Sequence, residues 1–192
     1  MHTLIRAAAL ALTFQQAASL TATLAAQGAG GAARPLNPAC ALVAEKEVEA
    51  ATGLDYGPGE DFVELDEGVG GKATCVWGGP GLVNDLPEIG VFFYPANARG
   101  SNTEGRAKVK LRAECTREPV RGVGDGAFVE ICEGSMSGAS VYALTSASVY
   151  ARTGKSDIAV QAYLKRGESM ASPIKSVAIA LAKAAAARAK GK

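Results

Sequence analysis

Apolar positions recur along this chain with two different periods, and the switches between them mark its elements. From Cys40 to Thr52, Leu42, Val43, Val48 and Ala51 alternate with Glu45, Lys46, Glu47 and Glu49 at helical spacing, and Gly53 is placed to end the helix. Residues 55 to 71 are rich in glycine and acid and read as a loop. Strand patterns follow at Ala73 to Gly78, with Cys75 and Trp77 on one face, and at Glu88 to Pro95. The second contains Ile89-Gly90-Val91-Phe92-Phe93-Tyr94 and is apolar on both faces, as in a strand central to its sheet. Residues 78 to 87 form a long connection between the two.

Ser101 or Asn102 is placed to cap a helix from about Thr103 to Cys115, with Ala107, Leu111 and Cys115 aligned at i, i+4 spacing. After the turn-rich Gly122-Val123-Gly124-Asp125-Gly126, strands are expected at Ala127 to Cys132, about Tyr142 to Arg152, and Asp157 to Leu164. The last two flank Thr153-Gly154-Lys155-Ser156, a hairpin turn. Ser172 and Pro173 supply cap and first-turn signals for a closing helix, whose stripe is Ile174, Val177, Ala178, Leu181, Ala182 and Ala185. The resulting order is α-ββ-α-βββ-α. Strands that follow one another without a helix between them imply a mainly antiparallel sheet, so the expected class is α+β with helices packed on the sheet.

The N-terminus carries a different signal. His2 and Arg6 precede the apolar run from Ala7 to Phe14 without an acid, the order of a secretory signal peptide. Gln15, Gln16, Ser19, Thr21 and Thr23 interrupt the run before it reaches the ~20 apolar residues of a spanning helix, so stable membrane insertion is not expected. The division is a signal peptide over 1–28, a flexible Gly/Ala/Pro leader over 29–38, and a single domain over 39–190. The expected location is periplasmic or extracellular.

Export changes how the cysteines are read. Cys40, Cys75, Cys115 and Cys132 form an even set in an oxidising compartment, and their spacing matches no zinc motif. Of the three possible pairings, Cys40 with Cys75 and Cys115 with Cys132 is preferred, because each ties the end of a predicted helix to a following strand. The rival joins Cys75 to Cys132 and Cys40 to Cys115. Cleavage also removes the sole histidine, His2, and the basic Arg6, leaving 19 basic side chains against the chain's 19 acidic ones. A neutral domain has no general electrostatic hold on nucleic acid or anionic lipid. Without imidazole, Ser-His-Asp and Cys-His catalysis are excluded.

The remaining fragments are weak imitations of motifs. Gly154-Lys155-Ser156 lacks the first glycine of a phosphate loop, and Gly122 to Ala127 opens a strand rather than a helix. Asp55, Glu60, Asp61, Glu64, Asp66 and Glu67 do not follow calcium-loop spacing. The basic group Arg99, Arg106, Lys108, Lys110, Arg112, Arg117 and Arg121 reads as a solvated helix face. Ser172 and Lys175 have the S-x-x-K spacing of serine acyl-transfer enzymes, but Ser172 is also the residue a helix cap requires. No catalytic set, metal site or cofactor site emerges. Trp77, Phe92 and Tyr94 are candidates to line a binding pocket, the alternative being core.

Pro38-Ala39-Cys40-Ala41-Leu42-Val43 before a Glu-rich helix, then Cys75-Val76-Trp77, then Gly122-Val123-Gly124-Asp125-Gly126-Ala127, resemble a family of exported bacterial domains and lipoproteins of unknown function, the DUF3558 type. The resemblance spans most of residues 38 to 185. It implies an envelope or secreted domain and supplies no catalytic residue. The lipid-anchoring cysteine that members often carry has no counterpart here. The expectation is a non-enzymatic, disulfide-stabilised module that binds a protein partner or a small apolar ligand. The alternatives are a histidine-free hydrolase using Ser172 and Lys175, or an inhibitor of a secreted hydrolase.

Overall fold

The computed structural model describes residues 37–62, 72–79, 86–95, 103–136, 143–165 and 167–190. The expected signal peptide and residues 29–36 of the leader lie outside them. Among the described residues the chain runs α1 (Glu45–Thr52), β1 (Glu60–Phe62), β2 (Ala73–Trp77), β3 (Glu88–Tyr94), α2 (Thr103–Lys108), β4 (Cys115–Val120), β5 (Gly126–Met136), β6 (Ala143–Thr153), β7 (Ser156–Lys165) and α3 (Ile174–Ala189). This is the expected α+β alternation of helices and strand groups, each group lengthened by a short edge strand, β1 or β4.

All seven strands form one antiparallel sheet in the order β1-β2-β3-β7-β6-β5-β4. Two meanders enter from opposite edges and meet at β3 and β7, so the doubly apolar β3 lies in the interior of the sheet. The β6–β7 connection closes at Thr153 opposite Ser156 through Gly154 and Lys155, the predicted hairpin turn.

One face is sealed by α1 and α3. Ile89, Val91, Val149, Val160 and Ile158 are buried beneath Val177, Ala178, Leu181, Ala182 and Ala185. Small residues meet small residues here: Ala147, Ala151 and Ala162 on the strands face the alanine-rich α3, which lets the helix lie close to the sheet. Glu47 reaches back to the Ala44 N–H at 2.8 Å to start α1, and Gly53, at φ 74°, ends it. Arg188 of α3 then clamps α1, donating to the Leu42 carbonyl at 2.8 Å and pairing with Glu47.

Both preferred disulfides are formed. Cys40, in the turn before α1, joins Cys75 of β2, and Cys115 joins Cys132. The reason given for the second pairing requires correction. The predicted helix to Cys115 stops at Lys108, and Cys115 opens β4 directly opposite Cys132 of β5. The Glu133 N–H donates to the Glu114 carbonyl just outside this pair, which makes it a non-hydrogen-bonded pair with a Cα separation of 4.1 Å. Helical backbone at Cys115 would not extend this ladder, so tertiary pairing overrides the helical spacing.

Two further expectations shift. The acidic loop begins as β1, paired with β2, because Gly59 leaves room for the Trp77 ring and the Cys75 sulfur, which a side chain would overlap. The closing helix starts at Ile174 with Pro173 as its cap residue, and no side chain caps it; Ser172 therefore does not play the predicted role. At Gly124, φ is +57° and a Cβ would overlap the Arg152 carbonyl oxygen, which also accepts from the Asp125 N–H at 2.8 Å. Gly124→Ala is expected to cost about 2–3 kcal/mol, measured as a shift in the urea midpoint at unchanged m-value.

Candidate functional site

The sheet face away from α1 and α3 carries different chemistry, and strand register arranges it in rows. One row runs Thr74, Phe92, Ala159, Tyr150, Phe128 and Pro119 across neighbouring strands; the next runs Val76, Gly90, Gln161, Ser148, Glu130 and Arg117. A third brings Glu88, Tyr163, Ser146, Cys132 and Cys115 into line. The aromatic row is thus flanked by a row of hydroxyl, amide and charged groups.

Glu130 anchors the β4–β5 end of this face. Its side chain is 3% exposed, and both carboxylate oxygens are engaged by two guanidinium groups. Arg106 donates from Nη2 to Oε2 at 2.6 Å, and Arg117 from Nε and Nη2 to Oε1 at 3.0 and 2.6 Å. Each guanidinium also lies against an aromatic ring, Arg106 at 5.4 Å from Tyr150 and Arg117 at 5.0 Å from Phe128, and the two rings stack at 5.3 Å. A carboxylate this buried needs such complete pairing, because desolvation otherwise opposes its charge. The hydrogen bond to Glu130 holds the Arg106 pKa above its ordinary value.

Arg117 has a second task. It donates to the carbonyls of Arg106, Ala107 and Val109, satisfying acceptors at the end of α2. That helix has six residues, none of them buried. It is therefore held to the sheet through Arg106, Arg117 and Glu130 more than through apolar packing, supplemented by the Thr103 N–H to Asp157 at 3.1 Å. Arg106 and Arg117, expected on a solvated face, are instead engaged with the buried Glu130, which the sequence pattern does not single out. The available signal was the lone acid in Phe128-Val129-Glu130-Ile131-Cys132, on the same face of the strand as Phe128 and Cys132.

Toward β3 and β7 the face is half-buried. The Tyr163 hydroxyl donates to Gln161 Oε1 at 2.7 Å, and Gln161 Nε2 reaches the Tyr150 oxygen at 3.5 Å. Lys72 lies 4.8 Å from the centre of the Phe92 ring. Burial pushes the Tyr163 phenol up to about 12, with Glu88 adding to the shift. Burial also raises the Glu88 carboxyl, against the attraction of Lys165.

A carboxyl raised in the folded state contributes stability at pH below its unfolded value and loses it as pH rises through the folded one. Glu88→Gln is thus expected to melt higher than the parent at pH 7, with the difference shrinking toward pH 4. Thermal melts across that range check it; a difference that grows on acidification is the contrary result.

The structure divides the aromatic trio. Phe92 and Tyr94 share the polar-aromatic face, packed near Phe128 and Tyr150, while Trp77 is 3% exposed in the core on the opposite face beside Cys75. The three do not line one pocket. Lys175 donates to Glu118 at 2.5 Å and has no bond to Ser172 among the described residues. Of the acidic group, Asp55, Glu60 and Asp61 are described and exposed, and Asp61 accepts a hydrogen bond from Asn37. No three metal-ligating side chains gather among the described residues. A cleft of about 240 Å³ between α2 and the ends of β5 and β6 is open, with Glu104, Asp125, Phe128 and Arg152 among its lining. Comparison with family models, with curated proteins and with solved structures found no match to this chain.

Proposed function

We propose that the protein is an exported, disulfide-stabilised, non-enzymatic module that engages a protein partner in the cell envelope or the medium, through the sheet face bearing Phe92, Tyr94, Gln161 and Tyr163. The observation that carries this reading is the asymmetry of the sheet. Helices α1 and α3 seal one face, whereas these four side chains on the other remain partly exposed. Tyrosines with polar tips and rigid rings supply contact area at low entropic cost, which suits a protein surface. A small apolar ligand is the weaker fit, since the cleft by α2 is open and three charged residues, Glu104, Asp125 and Arg152, are among its lining.

Two disulfides support export, as does the apolar N-terminal run; among the described residues no helix is long and apolar enough to cross a membrane. Kinship with the exported-domain family named above is part of the same proposal. Inhibition of a secreted hydrolase is one form that partner binding takes.

The test is chemical crosslinking in the native envelope followed by sizing of the recovered complex. A discrete complex with the wild-type protein, weakened about tenfold or more by the pair Phe92→Ala and Tyr163→Ala, is expected. A protein that stays monomeric throughout, or a complex indifferent to both substitutions, contradicts the reading.

A further inference from the structure

The two disulfides differ in setting, and we propose that Cys115–Cys132 is a reversible thiol-exchange site whose opening by a protein dithiol releases α2, while Cys40–Cys75 stays closed. Each bridge joins a buried cysteine to a partly exposed one, Cys75 to Cys40 and Cys132 to Cys115, so the difference lies in their surroundings. Cys75 belongs to the core cluster and lies beneath Gly59. Cys115 is partly exposed at the first position of an edge strand that, among the described residues, pairs only with β5. Beside it stands a cation: Arg112 Nη2 lies 3.9 Å from Cys115 Sγ, while its Nε pairs with Glu114 at 3.2 Å. A guanidinium there attracts an incoming thiolate and stabilises the Cys115 thiolate as it leaves.

The exchange balances as a two-electron reduction. One thiolate of the dithiol attacks Cys115 Sγ, the bond to Cys132 Sγ breaks, and Cys132 departs as a thiolate that takes up a proton. The second thiol of the reductant loses its proton and attacks its own sulfur in the mixed disulfide, expelling the Cys115 thiolate. The protein gains two thiols and the reductant becomes a disulfide.

The structural consequence follows from position. Cys115 and Arg117 lie two residues apart on one face of β4, as do Cys132 and Glu130 on β5. The bridge therefore fixes the end of the ladder next to the Arg117–Glu130 contact. Edge strands without the bridge fray from such ends. Loosening Arg117 removes the carbonyl contacts that hold the end of α2, a helix with no buried residue of its own. The exchange involves β4, β5 and α2 and does not depend on partner binding at the Phe92–Tyr163 face.

The test uses the folded, oxidised full-length protein, titrated with dithiothreitol and sampled by alkylation and peptide mass spectrometry. Cys115–Cys132 is expected to open about tenfold faster than Cys40–Cys75, and Arg112→Ala to slow that opening severalfold at low ionic strength. Hydrogen exchange of the partly reduced protein is expected to show faster exchange at residues 104–110 with β2 and β3 unchanged. The Cys115→Ser/Cys132→Ser variant is expected to show the same local pattern without reductant. Simultaneous opening of both bridges, earlier opening of Cys40–Cys75, or α2 exchange indifferent to reduction and to the variant overturns the proposal.

Discussion

Arg117→Ala is expected to destabilise the protein by about 3 kcal/mol or more, a large effect for one side chain on an edge strand. The substitution leaves the Glu130 carboxylate, 3% exposed, with Arg106 as its remaining guanidinium partner, and it removes the Arg117 donor from the carbonyls of Arg106, Ala107 and Val109 at the end of α2. It also removes the cation from the Phe128 ring. Urea unfolding measures the loss. Arg117→Lys should recover little, because an ammonium does not match the fork geometry that meets Glu130 Oε1 through both Nε and Nη2.

A combined replacement of Arg106, Arg117 and Glu130 by apolar residues of similar volume is expected to be far milder than Arg117→Ala alone, since no buried charge is then stranded. If instead the losses simply add, the network is not acting as a unit.

The second large effect concerns Cys40–Cys75. Replacing both cysteines with alanine is expected to cost about 3–4 kcal/mol by the chain-entropy model for a bridge that spans a sequence separation of 35. The bridge joins the turn before α1 to β2, and among the described residues no other disulfide ties the N-terminal turn to the sheet. Its sulfur at Cys75 also packs beneath Gly59 against Trp77, so the substitution leaves a small void as well. Equilibrium unfolding of the double variant against the parent checks it. A loss below about 1 kcal/mol would show that the denatured chain is already constrained in this region.

Much of the architecture was legible because burial imposes clean periods. The stripe of α3, the doubly apolar β3 and the 153–156 hairpin were all read correctly, since in each the hydrophobic pattern and the turn chemistry agree. The failures occur where a few contacts outvote a local pattern. The stretch from Thr103 to Cys115 has helical spacing, but Cys115 must be extended to stand opposite Cys132. Strand β4, Cys-Thr-Arg-Glu-Pro-Val, buries none of its residues and contains a proline, so Thr116 and Val120 alone announce a strand only weakly. Its identity depends on β5.

The candidate site was less visible for a similar reason. Phe92 and Tyr94 were singled out as aromatics, but which face each residue occupies depends on sheet register, and that separates them from Trp77. Glu130 and its two arginines come from β5, α2 and β4, with sequence separations of 24 and 13. Spacing along the chain does not reveal a contact assembled from three elements. The preferred disulfide pairing is correct although neither Cys40 nor Cys115 ends a helix: Cys40 sits in the turn before α1 and Cys115 opens β4.

The central claim is that the face bearing Phe92 and Tyr163 meets a protein partner while the α3 face does not. A photoreactive residue placed in turn at Phe92, at Tyr163 and at the exposed Lys183 of α3, in the exported protein under native expression, tests it most directly. The account predicts one discrete adduct of the same mass from positions 92 and 163 and none from 183. Adducts from 183 alone, or none from any of the three positions, would contradict it.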